Sequence, residues 1–354
     1  MDRREILRWL REEDPGRLEA LWKAADQARR ENVGDEVHLR GLVEFSNHCA
    51  RSCGYCGLRA GNPKISRYRM TREEIIGCAR QAARFGYGTV VLQSGEDPQI
   101  EAQWMAEVIR AIKSETPLAV TLSLGERSAQ EFEQWRRAGA DRYLLRFETS
   151  NRSLYERIHP PLNGRPTDRI ALLGILRSMG YEIGSGMMAG IPGQTYEDLA
   201  EDILTIQRLD LDMIGLGPYI AHPQTPLGSL TALHQAPPEE QAPAIEEITY
   251  KLIALARLAV KTANIPSTTA LATLNRSEGR ELGLARGANV VMPNLTPPQY
   301  RVHYEIYPAK ACIYETAEEC NTCLKRRIHA LGRKIGAGRG DSQRRILSAA
   351  AGRG

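Results

Sequence analysis

The sequence predicts an α/β fold, a complete (β/α)8 barrel with helices before it and a cysteine-containing extension after it. From about Val37 onward, short apolar runs alternate with helical patterns, which is typical of repeated β-α units around a parallel sheet. Eight such runs are enough to close a barrel, and 354 residues accommodate one barrel with additions. The predicted strands are Val37–Phe45, Thr89–Gln93, Ala119–Leu124, Arg142–Phe147, Glu182–Met188, Met213–Gly217, Ser267–Leu271 and Asn289–Met292.

Amphipathic patterns fill most of the intervals between these strands. Thr71, followed by Glu73 and Glu74, predicts one helix start, because a threonine N-cap and acidic residues complement the helix dipole. The predicted helices are Arg72–Ala83, Ile100–Lys113, Gln130–Arg137, Arg169–Met179, Tyr196–Leu209 and Ile245–Thr262.

Three regions are predicted along the chain. Residues 1–36 form an N-terminal helical cap whose two helices plug the lower end of the barrel, residues 37–300 form the barrel, and residues 301–354 form the extension. The proline-containing stretch Leu230–Ala244 is predicted to be a long connection. The glycine-rich end, from Gly336 onward, is predicted to be mobile.

Composition narrows the classes of function. The net charge of +4 owes much to a basic tail, which favours a solvated face over a nucleic-acid partner. No run approaches the ~18 consecutive apolar residues of a membrane helix, and the amino terminus lacks the apolar core of a signal peptide. Seven cysteines in such a chain predict a cytoplasmic protein that uses thiols for metal rather than for disulfides.

The most informative motif is the C-x3-C-x2-C run of Cys49, Cys53 and Cys56. Three thiolates are one short of the usual four for a 4Fe-4S cluster, so one iron would stay open to a ligand. Zinc sites usually consist of two separated pairs, and no second pair lies nearby. The alternatives are a structural zinc knuckle or free thiols. With Tyr55 before the third cysteine, the run resembles the signature of radical S-adenosylmethionine (SAM) enzymes.

A second group of thiols lies in the extension. Cys312, Cys320 and Cys323 have the spacing C-x7-C-x2-C, which predicts either a second iron–sulfur cluster (2Fe-2S or 4Fe-4S) with an outside ligand or a zinc site. Free thiols are the alternative. Cys78 falls within a predicted helix and is expected to be a buried, inert thiol.

Candidate SAM-binding residues follow the predicted strands, where the active site of such a barrel lies. Ser94, Gly95 and Glu96 come directly after the second strand and resemble the motif with which radical SAM enzymes bind the amino group of SAM. A glycine lets backbone carbonyls approach an ammonium, and a glutamate supplies the opposite charge. A plain turn is the alternative.

The remaining cofactor candidates follow the fourth and fifth strands. Arg146 or Arg169 could hold the methionine carboxylate in two parallel hydrogen bonds, and Glu148 could accept from ribose hydroxyls. The alternative is a buried ion pair. Met188 and Gly190 belong to a turn that resembles the region lining the adenine in this family, with a tight connector as the alternative.

Nearly the whole chain resembles the HydE family of FeFe-hydrogenase maturases. The departures are Phe147, where a histidine is expected, and a longer connection over residues 229–243. The segments that carry the resemblance are 33–40, 44–47, 92–98, 120–126, 139–146, 265–270, 287–294 and 307–323.

This resemblance implies a 4Fe-4S cluster on the first cysteine triad and SAM as cofactor, with an external electron donor. It implies a 5'-deoxyadenosyl radical that attacks the cysteine sulfur of an Fe(CO)2(CN)-cysteine complex, delivered from the maturase HydG, with the product passing to HydF. The candidate substrate-binding residues are Arg40, Gln93, Thr121, Thr268, Thr269, Tyr304 and Tyr307. Ordinary barrel packing is the alternative for each of them.

Three other functions are open. A radical SAM mutase of the methylornithine synthase type requires only pocket changes. A sulfur-inserting enzyme such as biotin synthase needs further cysteines inside the barrel, and only Cys78 lies between the two triads. An iron–sulfur carrier would use the tail thiols for cluster transfer.

Overall fold

A parallel sheet forms the centre of the fold in the computed structural model, which describes residues 1–164, 167–229 and 236–344. Its strands follow the order β10-β1-β2-β3-β4-β5-β7, and β9 also pairs with β1, while β6 and β8 form a separate parallel pair. The strands are β1 (Glu36–Ser46), β2 (Thr89–Ser94), β3 (Ala119–Ser123), β4 (Arg142–Leu144), β5 (Glu182–Ser185), β6 (Met188–Ala189), β7 (Met213–Ile214), β8 (Gly217–Pro218), β9 (Val290–Val291) and β10 (Lys334–Ile335).

Helices connect most of these strands, as the sequence predicts. Thr71 caps its helix and Glu74 returns the hydrogen bond to the cap, which confirms the predicted helix start. The helices are α1 (Arg3–Leu10), α2 (Pro15–Val33), α3 (Arg72–Arg84), α4 (Ala102–Glu115), α5 (Ala129–Ala138), α6 (Arg152–Ile158), α7 (Arg169–Ser178), α8 (Tyr196–Leu209), α9 (Pro226–Ser229), α10 (Glu246–Ala259), α11 (Thr269–Leu274), α12 (Gly279–Ala285), α13 (Pro298–Arg301) and α14 (Ala317–Ala330). In the described part of the chain, none is long and apolar enough to span a bilayer.

Alternation along the strands separates an apolar outer face from a more polar inner one. Val90 and Leu92 of β2 belong to the main apolar cluster. Gln93, the residue after Leu92, does not. Gln93 lies in register between Glu44 of β1 and Ser123 of β3. Because side chains alternate along a strand, these polar residues share the inner face. They form a layer just below the carboxyl ends of the strands.

The predicted seventh strand, Ser267–Leu271, is wrong. Helix α11 begins at Thr269, and Thr268 is its extended N-cap residue. The extended segment lies earlier, where single parallel bridges join Asn264 to Met213 and Pro266 to Val290. Proline lacks an N–H for the ladder, which limits this segment to isolated bridges.

The lower end of the sheet is covered by the C-terminal segment 336–342. The carbonyl of Arg339 accepts a hydrogen bond from Thr89 Oγ1 at 2.8 Å, and that of Gly340 accepts from Arg40 Nη2 at 3.0 Å. The N-terminal helices instead pack against the outer layer, α1 on α8 and α2 on α10. The lower end is thus covered by residues 336–342 and not by the predicted N-terminal plug. Mobility of residues 336–342 stays a prediction.

Two predicted features fall partly outside the described residues. The connection Leu230–Ala244 includes residues 230–235, and the basic tail includes residues 345–354. In the described part of the connection, Gln241 donates to the carbonyls of Ile191 and Gln194, both at 3.2 Å. These bonds fasten residues near 241 to the turn that follows β6.

Candidate active site

The first cysteine triad lies in a loop that begins where β1 ends. Backbone hydrogen bonds fasten this loop to three other segments: Ala50 N to Glu96 O at 2.9 Å, Gly54 N to Ile158 O at 2.7 Å and Gly57 N to Ile306 O at 3.0 Å. Its cysteines are free thiols, Cys53 buried and the other two half-buried. The loop is thus held in place by contacts that do not involve the sulfur atoms.

Two glycines allow the loops around the triad to approach each other. A Cβ at Gly95 would lie 2.7 Å from Cys49 Cβ and 2.3 Å from His48 O. A Cβ at Gly125, whose φ is +73°, would lie 1.9 Å from Glu96 Cγ. Both contacts are far closer than side chains can approach, so these positions require glycine. Gly95 therefore serves the packing of the cysteine loop, whether or not its carbonyl also meets a ligand.

The donor set of the triad fits an iron–sulfur cluster. Burial raises the pKa of Cys49, and raises that of Cys56 to about 12. Such thiols become thiolates when metal cations supply the missing positive charge. Three thiolates are one short of the four that usually hold a 4Fe-4S cluster, so one iron would stay open to a further ligand.

Beside the triad, two glutamates and two arginines form a closed ring of ion pairs. Arg51 donates from Nε to Glu96 Oε2 at 2.5 Å and from Nη2 to Glu126 Oε2 at 2.6 Å. Arg169 donates from Nε to Glu126 Oε1 at 2.8 Å and from Nη2 to Glu96 Oε1 at 3.1 Å. Each carboxylate thus bridges both guanidiniums, and the ring is neutral. Arg51 and Glu126 are not predicted from the sequence, although Glu126 follows β3 as Glu96 follows β2.

His159 completes this ring as a neutral acceptor. Its Nε2 lies 2.7 Å from Nη2 of Arg169, and because a guanidinium only donates, Nε2 must accept. Burial, with the charge of Arg169, lowers the pKa of His159 to about 3. Glu96, Glu126 and His159 lie close enough together to hold a metal ion, but the arginines already occupy their lone pairs. The cluster is therefore an acid–guanidinium site rather than a metal site.

Arg146 and Glu148 lie together at the end of β4. Arg146 donates from Nη2 to Met187 O at 2.7 Å, and the same nitrogen lies 2.9 Å from Glu148 Oε2. Glu148 has φ +63°, a left-handed conformation that costs a non-glycine residue about 1–3 kcal/mol and is frequent at functional sites. The ion pair considered in the sequence analysis is thus present, and ligand roles for both residues stay predictions.

The predicted adenine-side residues lie in a small apolar cluster beside the triad. Met188 packs there with Ile158, Tyr219 and Leu227, and Tyr55 lies against them. These side chains give the mouth of the site an apolar wall, which suits a flat aromatic ligand.

Gly190 has a packing reason of its own. A Cβ at this position would lie 2.3 Å from Cα of Ala244, and Gln194 accepts from the Gly190 N–H at 2.8 Å through Oε1. The turn is thus held by the connection before α10, and contact with a ligand stays a prediction.

Several predicted substrate-binding residues lie on the inner face of the sheet or above it. Gln93 donates to Tyr304 Oη at 3.3 Å, which brings these two together. The hydroxyls of Thr121 and Thr268 are buried without a hydrogen-bond partner in the described residues. Tyr307 is half-buried, and burial raises its pKa. Thr269, the first residue of α11, is half-buried next to Thr268.

Arg40 is separated from these candidates. It lies opposite Thr89, at the start of β2, and so one layer or more below Gln93. Its guanidinium donates to Gly340 O and lies 2.8 Å from Met213 Sδ. Burial lowers the pKa of Arg40 to about 9. The structure thus places Arg40 apart from the upper candidates and in contact with the C-terminal segment, and its substrate-binding role stays a prediction.

Phe147, where the HydE pattern has a histidine, lies outside the inner face of the sheet. It is 1% exposed within the main apolar cluster, together with Leu145, and its N–H donates to Ser185 Oγ at 3.1 Å. Strand alternation directs these two side chains to the helix-facing side, away from Arg146. A phenylalanine here does not put the wall of the site in doubt.

The polar layer contains a buried ion pair that is not predicted from the sequence. Glu44 and Lys310 are 1% and 4% exposed and form a close salt bridge. Asn294 Nδ2 donates to the other oxygen of Glu44 at 2.8 Å, and Lys310 Nζ lies 5.2 Å from the centre of the Tyr304 ring. A glutamate within the apolar strand β1 is a signal that could have been noticed, whereas nothing local singles out Lys310.

The second triad is partly assembled. Arg280 Nη1 lies 3.5 Å from Cys312 Sγ, and a hydrogen bond with Cys320, with help from Arg280, lowers the pKa of Cys312 to about 5. Cys323 lies instead beside Arg327. Cys78 is a buried thiol whose Sγ lies 3.4 Å from Leu295 O, as expected for a packing residue.

Comparison with known proteins agrees with this site. The model of the radical SAM superfamily matches residues 43–206. The chain is 44% identical over 349 residues to the FeFe hydrogenase maturase subunit HydE of Thermotoga maritima, over 97% of this chain and 96% of that protein. It is 28% identical over 278 residues to 3-methylornithine synthase of Methanosarcina acetivorans, over 77% and 74% of the two.

Among solved structures, methylornithine synthase (PylB) has the same fold. It superposes with a TM-score of 0.80 at 23% identity, over 98% of this chain and 96% of that one. The HydE likeness extends through both cysteine triads, since it spans almost the full length of the two proteins. The chain is therefore a radical SAM enzyme and belongs to the HydE family of FeFe-hydrogenase maturases.

Proposed function

We propose that this enzyme acts in assembly of the di-iron subcluster of FeFe-hydrogenase, together with the maturases HydG and HydF. The observation that carries the proposal is the placement of the first triad, whose loop is bonded through Ala50 to Glu96 and so adjoins the acid–guanidinium ring. A single site then offers ligands both for a metal cluster and for the charged groups of an amino acid. The full-length likeness to HydE supports the choice of pathway.

The residues suited to the cofactors lie at the mouth of the site, around the first cysteine triad. Cys49, Cys53 and Cys56 would hold a 4Fe-4S cluster, which when reduced supplies the electron that cleaves SAM into methionine and a 5'-deoxyadenosyl radical. Glu96 and Arg169 offer opposite charges to the ammonium and carboxylate of the methionine part. The further SAM contacts that we propose are Tyr55, Ser94, Gly95, Arg146, Glu148, Met188 and Gly190.

The substrate that we propose is an Fe(CO)2(CN)-cysteine complex, whose cysteine sulfur the radical attacks. The buried hydroxyls of Thr121 and Thr268, which have no hydrogen-bond partner in the described part of the chain, support a polar ligand in the interior. Lys310 is paired with Glu44 beside Tyr304, so this pair adds a polar but neutral group to the interior. Gln93, Thr269 and Tyr307 complete the proposed pocket.

We also infer that the sheet closes into a complete barrel. Its central strands run from β1 to β7, and the isolated bridges from Met213 to Asn264 and from Pro266 to Val290 continue the hydrogen bonding to β9, which pairs with β1. The domain limits near residues 36 and 300 stay part of the proposal, with β10 of the extension pairing with β1 at the edge of the barrel. A closed wall would keep water from a radical, which is a reason to expect it in this enzyme.

A second metal centre on Cys312, Cys320 and Cys323 is part of the proposal, with Arg280 as a charge that stabilises thiolate. It would lie in the extension, outside the inner layer of the sheet. The free state of all seven cysteines agrees with a reducing, cytoplasmic setting.

Reconstituted maturation tests the pathway. An inactive FeFe-hydrogenase is incubated anaerobically with HydG, HydF, their small-molecule substrates and this enzyme in place of HydE, and hydrogen evolution is measured. We expect hydrogen evolution comparable to that with HydE itself. We expect the same of the variant in which Cys312, Cys320 and Cys323 are all replaced by serine. Activity no greater than in the mixture without any HydE would contradict the proposed pathway.

A further inference from the structure

We propose that Arg51 is a positioning residue that couples the cysteine loop to the amino-acid end of SAM. This inference rests on the proposed function of the site. Arg51 lies in the chain between two cluster ligands, Cys49 and Cys53, yet its guanidinium reaches the loops after β2 and β3. It is 4% exposed, although an arginine in a loop is normally solvated.

The carboxylates show what Arg51 does for Arg169. Glu96 and Glu126 each use one oxygen for Arg51 and the other for Arg169. With Arg51 in place, the charge of the four residues sums to zero. Without it, two carboxylates face one guanidinium, and the ring carries a net charge of −1.

That change would act directly on a bound carboxylate. In the ring as it stands, Arg169 shares its two acids with a second cation, so their negative charge is divided between two guanidiniums. Without Arg51, both acids would pair with Arg169 at close range in a partly buried site, where like charges repel strongly. The carboxylate of SAM would then meet a neutralised arginine beside an uncompensated negative charge.

A second observation distinguishes Arg51 from a simple brace of the loop. Its Nη1 is buried and has no hydrogen-bond partner in the described residues. A buried N–H without a partner is unfavourable, so a guanidinium that only stabilised the loop would be expected to satisfy it. Arg67 shows the contrast, since it bonds the carbonyls of Asn47, Leu58 and Arg59 and touches no acid of the ring.

The test compares Arg51→Gln and Arg51→Lys with Arg127→Gln. Arg51 and Arg127 both line a cavity of about 740 Å3, and replacing either by glutamine removes one positive charge. Arg127 is a matched control because it bonds Asp97 O, Ile100 O and Glu131 rather than the ring. Each protein is reconstituted anaerobically, its bound iron is counted, and SAM affinity is measured by titration of the reduced cluster's electron paramagnetic resonance signal.

We expect Arg51→Gln to retain the cluster and its SAM-free spectrum, and to bind SAM at least 10-fold more weakly. Arg51→Lys keeps the positive charge but cannot bond both glutamates as a guanidinium does, so it should recover part of the SAM affinity. Arg127→Gln should bind SAM like the parent enzyme. Unchanged SAM affinity in Arg51→Gln would overturn the proposal. So would loss of the cluster in Arg51→Gln and Arg51→Lys, since Arg51 would then only brace the loop. These readouts need no iron complex, so a failure of the maturase proposal would leave them intact.

Discussion

Replacing Cys53 with alanine is expected to abolish SAM cleavage, with at least a 1,000-fold loss of 5'-deoxyadenosine formation. Cys53 is the most buried thiol of the first triad. Without it, only two thiolates of the triad remain, and two thiolates hold a 4Fe-4S cluster poorly. Anaerobic assay with excess SAM and dithionite measures the nucleoside, and iron analysis measures the cluster.

Cys78→Ala is the matched control for this experiment. Cys78 is also buried, in α3, where it packs in the main apolar cluster and its sulfur lies 3.4 Å from the carbonyl of Leu295. We expect it to retain iron and activity with a modest loss of stability. Full cleavage by Cys53→Ala would contradict the assignment of the first triad as the cluster site.

Replacing Lys310 with methionine is expected to lower the free energy of unfolding by about 3–5 kcal/mol, because Glu44 would remain as a buried charge without its partner. Glu44 is 1% exposed, so solvent cannot compensate for the loss. Denaturant titration monitored by circular dichroism, on anaerobic protein, measures the change.

The double variant Glu44→Gln with Lys310→Met separates pairing from shape. A neutral amide can keep the bond from Asn294 Nδ2, so we expect the double variant to regain most of the stability that Lys310→Met loses. A double variant less stable than the single one would show that the two side chains are not coupled as a salt bridge.

How far the sequence predicts this structure depends on whether a signal is local. Helices α3, α4, α5, α7 and α8 are predicted to within about two residues at each end, since caps such as Thr71 and amphipathic patterns lie within the element itself. The short helix α6 is not predicted. The cysteine spacing likewise identifies the cluster site from a few adjacent residues.

Features that depend on distant partners are the ones missed. Lys310 lies 266 residues after Glu44, and only the fold brings them together. The threonine-containing run after Pro266 has strand-like composition, yet Thr268 is the N-cap of a helix that begins at Thr269. Arg40 alternates inward, as predicted, but the sequence does not say that residues 336–342 return to cover it.

The measurement that tests the account most directly is the product formed with the iron complex. The reduced enzyme is incubated anaerobically with SAM, with and without an Fe(CO)2(CN)-cysteine complex generated by HydG, and the products are identified by mass spectrometry. We predict strong stimulation of SAM cleavage and a 5'-deoxyadenosyl group attached to the cysteine sulfur. SAM cleavage that the complex neither stimulates nor diverts into this adduct would contradict the proposed substrate and favour a mutase.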